Sequence, residues 1–362
     1  MTDTLTTLNP ATGEKNKTYT QHTQDEALAI AAKTHAAAVT WQQTTMDDRA
    51  RQLEKIAEVL ETRKAELASL ITAEMGKVNK EAIGEIEKCA LVCRYYAENG
   101  ARFLADKPIE IDGGKAFVAY QPLGVVLAVM PWNFPLWQVF RFAAPTLMAG
   151  NGALLKHAES VTGCALAIEE VIKEAGFPDD LFRTLLIDRH KVKSLIESPS
   201  VQAVTLTGGT AAGRAVAAQA GAALKPSVLE LGGSDPYLIL ADADIQEAAQ
   251  KCAASRMLNG GQSCIGAKRF IAVESVYDAF VDAFKKEMAA KTMGDPTDDT
   301  TDFGPQASES LRDDLHKQVQ DSVAKGATCL LGGEIPSQQG AWYPATLLTD
   351  VCEGMPAYHE EL

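Results

Sequence analysis

The sequence lacks the clustered residues that structural metal sites and disulfide frameworks need. Its seven cysteines are scattered through 362 residues without a CxxC pair, and its six histidines are not clustered. These absences argue against a zinc site and against a set of disulfide bonds, and they favour a reduced, cytoplasmic setting. Because a lone cysteine is most often a small buried apolar residue, we expect that role for six of them: Cys89, Cys93, Cys164, Cys252, Cys329 and Cys352.

Basic residues are scarce relative to acidic ones. Lys plus Arg number 34 against 48 Asp plus Glu, which gives a formal net charge of -14. Phosphate backbones and anionic lipids repel such a chain, so neither nucleic acid nor a membrane surface is an expected partner. The sequence starts without a basic stretch followed by an apolar core, so we expect no signal peptide. The most apolar window, residues 122–140, contains three prolines and is expected to be buried core rather than a spanning helix.

Helical periodicity dominates the first hundred residues. Ala, Leu and Ile recur at steps of three and four, with Glu and Lys between them, and predict amphipathic helices over residues 25–42, 47–75 and 78–104. Residues 107–120 change character, since two short apolar runs flank the turn pair Gly113-Gly114. This pattern predicts a projecting β-hairpin.

Short apolar strands alternate with helices from about residue 123. Strands are predicted at 124–130, 153–156, 181–187 and 201–207. This order indicates βαβ units and a doubly wound parallel sheet, a fold that holds nucleotides at the carboxyl ends of its strands. After residue 233 a second α/β domain is predicted, with strands at 237–240, 269–273 and 328–331 and helices at 245–257 and 277–290.

One cysteine lies in an open, polar setting. Cys264 stands in Asn-Gly-Gly-Gln-Ser-Cys-Ile-Gly-Ala-Lys-Arg, where glycines give flexible backbone. The adjacent Lys268 and Arg269 are positioned in sequence to favour thiolate over thiol, which is what a nucleophile needs. A buried apolar role is the alternative, and the local sequence leaves both open.

Two polar residues at predicted strand ends are candidates for acid–base and oxyanion chemistry. Glu230 lies in Val-Leu-Glu-Leu-Gly-Gly, where apolar surroundings would disfavour the charged carboxylate and suit a general base. Asn133 lies in Met-Pro-Trp-Asn-Phe-Pro directly after a strand, where an uncharged amide donor suits an oxyanion. The alternatives are a solvent-facing edge residue for Glu230 and a turn residue for Asn133.

A charged pair and a glycine turn are candidates for a nucleotide site. Lys156 ends a predicted strand and Glu159 follows it, at positions that face the ligand crevice of a doubly wound fold. Gly208, Gly209 and Gly213 lie between a strand and a helix, where backbone N–H groups can meet a pyrophosphate. Ordinary surface charges are the alternative for the pair, and the glycine spacing is not GxGxxG.

Together these segments resemble the aldehyde dehydrogenase superfamily. Cys264 follows Glu230 by 34 positions, which fits the order of base and nucleophile in that family. Matching stretches occur along essentially the whole chain: Asn-Pro-Ala-Thr-Gly-Glu, Pro-Trp-Asn-Phe-Pro, Leu-Lys-x-x-Glu, Thr-Gly-Gly-Thr-x-x-Gly, Leu-Glu-Leu-Gly-Gly, Gly-Gln-x-Cys and Glu-Glu-Leu.

The resemblance implies a covalent mechanism. The Cys264 thiolate would attack an aldehyde carbonyl, while the Asn133 side-chain amide and the backbone N–H of Cys264 hold the oxyanion. Hydride transfer to a nicotinamide cofactor would leave a thioester, which water activated by Glu230 hydrolyses to the carboxylic acid. Glu230 argues against the branch of the family that passes the acyl group to coenzyme A.

The resemblance also implies a dinucleotide site. Lys156 and Glu159 would bind the adenosine ribose, with Trp132 and the three glycines as further cofactor contacts. Glu361 would match the carboxylate that bonds the nicotinamide ribose. A carboxylate at Glu159 should repel a 2′-phosphate, so NAD is favoured, with NADP as the alternative.

Arg141, eight residues after Asn133, indicates which class of aldehyde the resemblance implies as substrate. In the succinate-semialdehyde branch an Arg at this point meets the distal carboxylate, whose geometry its guanidinium matches. Human-type members have a second Arg six residues before the nucleophile, where this chain has Leu258. Leu-Leu-Lys-His-Ala, together with Trp137 and Arg141, resembles the bacterial branch instead. A surface-paired helix residue is the alternative for Arg141.

The resemblance assigns domains and an assembly. Residues 1–106 and 121–233 would form the NAD-binding domain, 107–120 a hairpin for bridging and oligomerisation, and 234–362 the catalytic domain. In the family, Glu-Glu-Leu continues into a further segment, so we expect the catalytic domain to be C-terminally incomplete at Leu362. A homo-oligomer is expected for the family. A non-catalytic dinucleotide-binding fragment, oxidation of another small aldehyde, and acyl transfer stay open as alternatives.

Overall fold

The computed structural model describes residues 3–362, and the chain divides into two compact units. The first unit contains the chain up to Thr7, Lys17–Leu70 and Ile83–Leu231. The second unit contains Leu8–Asn16, Ile71–Ala82 and Gly232–Leu362. The functional division into NAD-binding and catalytic domains stays a prediction.

The regular elements are numbered in chain order. The strands are β1 Thr4–Leu8, β2 Lys15–Thr20, β3 Lys107–Ile109, β4 Ala116–Val118, β5 Val125–Met130, β6 Gly152–His157, β7 Phe182–Thr184, β8 Ala203–Gly208, β9 Ser227–Leu231, β10 Pro236–Ile239, β11 Arg269–Ala272, β12 Thr328–Leu331 and β13 Leu347–Thr349. The helices are α1 Gln24–Trp41, α2 Met46–Thr62, α3 Lys64–Met75, α4 Asn79–Phe103, α5 Trp137–Met148, α6 Thr162–Glu174, α7 Val192–Glu197, α8 Thr210–Ala222, α9 Ile245–Met257, α10 Tyr277–Ala289, α11 Glu309–Ala324 and α12 Pro356–His359.

A five-stranded parallel sheet forms the centre of the first unit. Its strand order is β7-β6-β5-β8-β9, and in its register Val129 of β5 lies between Lys156 of β6 and Leu206 of β8. Every residue of β6 is buried, as expected for an inner strand of a covered parallel sheet. Helices α1, α5, α6 and α8 pack against the sheet. The predicted doubly wound α/β fold is therefore confirmed.

The N-terminal helices begin at side-chain caps that the sequence supplies. Thr23 accepts the N–H of Glu26, and the Glu26 carboxylate accepts the N–H of Thr23, which forms a capping box at α1. The single helix predicted over residues 47–75 is wrong, because the chain leaves helical geometry at Arg63 and starts again as α3. Neither Gly nor Pro marks that break, so periodicity alone missed it. Strands β1 and β2 were not predicted either.

The second unit has a small parallel pair at its centre. Strands β10 and β11 pair in parallel, and helices α9 and α10 pack together beside them. Phe270 contacts Phe284 with ring centroids 4.6 Å apart, and Phe284 stacks on Phe280 at 5.5 Å, so aromatic rings fill this core. Strands β12 and β13 form a separate antiparallel pair in this unit.

The predicted hairpin is present, whereas the burial expected for six cysteines is only partly observed. The predicted hairpin forms in the first unit, where β3 and β4 pair antiparallel with Lys107 opposite Val118. Four of the six cysteines expected to be buried are buried, but Cys329 and Cys352 are exposed. The reason is position, since Cys329 lies on the exposed first half of β12 and Cys352 lies in the loop after β13.

Candidate active site

The carboxyl ends of the parallel strands are where a doubly wound sheet such as that of the first unit is expected to bind ligands. The chain runs from β5 outward through β6 to β7, then crosses back to β8 and β9, so the strand order reverses between β5 and β8. In doubly wound sheets, ligands bind at the carboxyl ends of the strands beside such a switch point. Asn133 follows β5, Lys156 lies at the end of β6, and Glu230 lies at the end of β9. The sheet therefore brings these three predicted site residues to one edge.

Asn133 lies in the loop 131–136 that joins β5 to α5. Its side-chain oxygen accepts the N–H of Phe134 at 3.1 Å, and the residue is half-buried. The side chain also carries an amide N–H₂ group, which can only donate hydrogen bonds. A donor of this kind is what stabilises an oxyanion.

Arg141 and Glu230 lie next to each other. Arg141 Nη1 is 3.7 Å from Glu230 Oε2, and Nη2 donates to Thr207 Oγ1 at 3.3 Å. Thr207 is the register partner of Glu230 across β8 and β9. The Arg141 and Glu230 side chains are 36% and 56% exposed, so both remain accessible to small molecules.

The expectation of apolar surroundings for Glu230 is wrong. Strand β9 is the edge strand of the sheet, and the Glu230 side chain is exposed beside a guanidinium group. The apolar neighbours in the sequence point elsewhere because strand residues alternate between faces. The role of Glu230 as general base stays a prediction that no longer rests on burial.

Lys156 and Glu159 are neighbours with different exposure. Lys156 is buried, whereas Glu159 is exposed, and Lys156 Nζ is 3.9 Å from Glu159 Oε1. Burial lowers the pKa of the Lys156 ammonium, and the charges of Glu159 and Asp188 partly offset this. An ammonium and a carboxylate thus stand together at a strand end, the arrangement expected for a ribose-binding pair.

The glycine turn after β8 fits a dinucleotide. Gly209 is the N-cap of α8 and has no side-chain cap, and a Cβ added there would meet nothing within 4 Å. The start of α8 therefore has no side-chain cap, as expected for a helix start whose N–H groups bind a pyrophosphate. A Cβ on Gly213 would lie 2.6 Å from Leu231 Cδ2, so glycine there lets the Leu231 side chain pack directly against α8.

The two tryptophans of this region differ in their contacts. Trp137 is the first residue of α5, and the Lys88 ammonium lies over its ring, 4.0 Å from the centroid. Trp132 is half-buried in the loop before Asn133. The substrate and cofactor roles expected for Trp137 and Trp132 stay predictions.

Cys264 lies in the second unit, on a turn that a lysine holds in place. Lys268 Nζ donates to the carbonyl oxygens of Ser263 and Cys264 at 2.9 and 3.0 Å, and it is 3.2 Å from Glu361 Oε1. The Lys268 side chain is only 3% exposed. These charge-assisted bonds fix the backbone on both sides of the Cys264 N–H, and a buried ammonium makes them strong.

Lys268 and Arg269 therefore donate hydrogen bonds to backbone carbonyl oxygens, which is not the role that the sequence predicted for them. We expected both to favour the Cys264 thiolate, but Lys268 binds carbonyl oxygens and Arg269 Nε donates to the carbonyl of Ser234 at 2.9 Å. Neither bond involves the thiol. Sequence distance placed these cations near Cys264, whereas side-chain direction decided what they contact.

Glu361 lies close to the Gly-Gly pair that follows β9. A Cβ on Gly232 would collide with the Glu361 carboxylate as it lies here, so any larger residue at 232 would displace that side chain. The side chain of Glu361 is 40% exposed and is paired with Lys268. Its predicted contact with a nicotinamide ribose stays a prediction.

The loop before Cys264 uses left-handed backbone. Asn259, Gly260 and Gly261 all have positive φ angles, and Asn259 is buried, with its amide nitrogen donating to the carbonyl of Gln262 at 3.0 Å. The Asn-Gly-Gly sequence was a recognisable signal for this geometry. Asn259 is thus a structural residue of the cysteine loop that we had not singled out.

Neither a metal-binding cluster nor a membrane-spanning helix occurs in the described part of the chain. Among residues 3–362, no group of three or more His, Cys, Asp and Glu side chains is arranged to hold a metal ion. Within the same range, none of the helices has the length and apolar character needed to cross a membrane.

Comparisons with known proteins extend over the whole chain. The sequence pattern of the aldehyde dehydrogenase family matches residues 1–362. A protein of Mycobacterium tuberculosis named as an NADP(+) succinate-semialdehyde dehydrogenase is 48% identical over 361 residues, which are 99% of this chain and 79% of that protein. A Mycobacterium leprae protein of the same name matches at the same identity and coverage.

Solved structures agree with the sequence comparison. The crystal structure of succinic semialdehyde dehydrogenase from Streptococcus pyogenes, in complex with NADP+, matches with a TM-score of 0.96 and 34% identity. The match covers 99% of this chain and 79% of that one. The predicted resemblance, including that to the succinate-semialdehyde branch, is confirmed. The chain belongs to the aldehyde dehydrogenase family, enzymes that oxidise aldehydes with a nicotinamide dinucleotide.

Proposed function

We propose that this enzyme oxidises succinate semialdehyde to succinate, with NAD as the hydride acceptor. The observation that carries the proposal is the accessible guanidinium of Arg141 beside Glu230 at the carboxyl edge of the sheet. The names of the mycobacterial relatives support the same substrate. A cation next to the candidate base suits a short aldehyde that carries a second, negatively charged end.

The Arg141 guanidinium can release Glu230 and bind a substrate carboxylate instead. Its contact with Glu230 is long, at 3.7 Å, and both groups are partly exposed, so the pair is worth about 1 kcal/mol or less. A carboxylate that binds the guanidinium with two parallel hydrogen bonds forms a stronger interaction. The hydrogen bond from Arg141 to Thr207 holds the guanidinium in place for this exchange.

The covalent steps are assigned to three side chains. The Cys264 thiolate adds to the aldehyde carbon, and the Asn133 amide with the Cys264 N–H stabilises the oxygen that becomes negative. A nicotinamide, when bound, would accept the hydride from the former aldehyde carbon, and the adduct on Cys264 would thereby become a thioester. Glu230 then takes a proton from water, whose oxygen adds to the thioester carbon, and the departing thiolate leaves the carboxylic acid.

NAD is proposed over NADP because of Glu159. The carboxylate is exposed next to Lys156 at the strand end where an adenosine ribose binds in this fold. A 2′-phosphate placed there would meet a like charge, whereas a 2′-hydroxyl can donate to the carboxylate. The relatives named above carry NADP(+) in their names, so the preference has to be measured on this chain.

The proposal is tested by following NADH formation from succinate semialdehyde and NAD. We expect turnover by the unaltered chain and none by Cys264→Ala, while Cys352→Ala, at an exposed cysteine, serves as the matched control and keeps full activity. Equal rates for the unaltered chain and Cys264→Ala would remove the proposal. NAD binding without turnover would instead support a dinucleotide-binding protein. Product formation that requires coenzyme A and survives Glu230→Gln would support acyl transfer.

A further inference from the structure

A buried carboxylate accepts hydrogen bonds from the end of the loop that carries Asn133. Glu85 lies on α4 and is 5% exposed. Its Oε1 accepts the backbone N–H of Leu136 at 2.8 Å and of Trp137 at 2.9 Å. These N–H groups open helix α5, whose own N-cap residue, Leu136, makes no side-chain cap bond. A carboxylate from another helix thus replaces the usual cap and also complements the positive end of the helix dipole.

A buried histidine holds the loop from its other side. His157 is the last residue of β6 and is 5% exposed. Its Nε2 is 2.8 Å from the carbonyl of Pro135, and its Nδ1 accepts the N–H of Ala158 at 2.9 Å. One ring proton on Nε2 satisfies both contacts, so the geometry assigns the neutral Nε2–H form. Nδ1 also lies 3.2 Å from the carbonyl of Met130, where the loop begins.

These contacts leave the loop little freedom. Residues 131–136 are fixed near their start by the β5 pairing and near their end by Glu85 and His157, and Asn133 stands between the two anchors. A donor that stabilises an oxyanion must be held at its position before the charge develops, because reorganisation during the reaction would consume part of its benefit. Loops rarely achieve this alone, and buried partners with short hydrogen bonds supply it.

We propose that Glu85 and His157 are positioning residues that clamp the 131–136 loop and thereby fix the side-chain amide of Asn133 for oxyanion stabilisation. The inference rests on the proposed function for Asn133. Neither residue touches the reacting atoms in this assignment. Both act through backbone atoms of the loop: Glu85 through two N–H groups and His157 through the Pro135 carbonyl.

Hydrogen exchange tests the clamp without any activity measurement. In Glu85→Ala, the amides of Leu136 and Trp137 lose the acceptor that protects them, so a peptide covering residues 131–140 should exchange at least about tenfold faster. Glu87→Ala is the matched control, because Glu87 lies on the same helix, exposed and paired with Lys64. Unchanged exchange of this peptide in Glu85→Ala would overturn the proposal.

Kinetics then test whether the clamp acts through Asn133. Removing an oxyanion donor typically costs about 10²–10³ in kcat, so a mispositioned one should cost about 10–100-fold in Glu85→Ala, with KM for NAD within about threefold. Glu85→Gln keeps an acceptor oxygen and should recover part of the rate. In an Asn133→Ala background, Glu85→Ala should cost less than about threefold, because the group it positions is gone.

If Glu85→Ala lowered kcat by the same factor in the unaltered chain and in the Asn133→Ala variant, the clamp would be contradicted. A residue of general structural importance would lower kcat equally in both. His157→Ala should behave like Glu85→Ala, and His157→Gln, whose amide can reach the Pro135 carbonyl, should be milder. If the unaltered chain oxidises no aldehyde, the proposed function fails, and the exchange experiment alone decides the clamp. If Glu85→Ala does not fold, Glu85→Gln carries both measurements.

Discussion

Replacing Lys268 by methionine should destabilise the second unit strongly. The substitution keeps the apolar stem of the side chain and removes the ammonium that binds two backbone carbonyls and Glu361. The Lys268 side chain is almost completely buried, so water cannot easily replace its bonds. The perturbation therefore isolates the contribution of one buried charge to the loop that carries Cys264.

The expected magnitude follows from the contacts that are lost. A buried polar group left without a partner costs about 1–3 kcal/mol, and two carbonyl oxygens lose their donor, so the unfolding free energy should fall by about 3 kcal/mol. The half-exposed Glu361 adds little, about 1 kcal/mol at most. Since 1 kcal/mol moves Tm by about 2–4 °C in a unit of ~150–250 residues, Tm should drop by about 6–12 °C.

Differential scanning calorimetry of the purified chain provides the assay. The matched control is Lys251→Met, which removes an ion pair with Glu247, at 2.6 Å, from an exposed position on α9. That change should move Tm by less than about 2 °C, because surface pairs contribute little. If Lys268→Met melts within 2 °C of Lys251→Met, the reasoning that buried charge-assisted bonds fix the cysteine loop is refuted.

Three further outcomes are expected. Arg141→Met should reduce kcat/KM for succinate semialdehyde by about 100-fold, the loss of a charged hydrogen-bonded pair, and change it little for butanal; equal losses on the two aldehydes would make Arg141 structural. Glu159→Ser should raise kcat/KM with NADP by about tenfold relative to NAD, and an unchanged ratio would defeat the assignment of Glu159. Burial lowers the pKa of His157 to about 4 from an ordinary 6.5, so between these pH values only the unfolded chain takes up the proton. Compared with His157→Gln, the unaltered chain should therefore lose up to about 3 kcal/mol of stability as the pH falls from 6.5 to 4, measured by urea unfolding; a difference that stays constant with pH would contradict a buried neutral ring.

The sheet was predictable because each of its main strands is recognisable from its own short stretch of sequence. The apolar runs that became β5, β6 and β8 are bounded by helical periodicity, and the structure changes their limits by only one residue or so at most ends. Arg63, which separates α2 from α3, was missed because no helix-breaking residue marks it. The helix α11 carries a mostly polar face and was not predicted.

The chemistry-bearing residues were also visible in the sequence, but their partners were not. Cys264, Asn133 and Glu230 are recognisable by residue type and by the glycines and prolines around them. The contact between Arg141 and Glu230 joins residues far apart in the chain, and it replaced the apolar environment expected for Glu230. A single sequence contains no signal for such a pair, because packing alone decides which distant side chains meet.

What the sequence by itself determined is the set of elements and the groups available for reaction, since both depend on local patterns and on chemical type. Only the tertiary structure decided that Lys268 binds carbonyl oxygens and that Glu85 and His157 hold one loop from two sides. The physical reason is that a buried hydrogen bond needs both partners at the right distance and direction. The folded chain sets these quantities for residues that the sequence keeps apart.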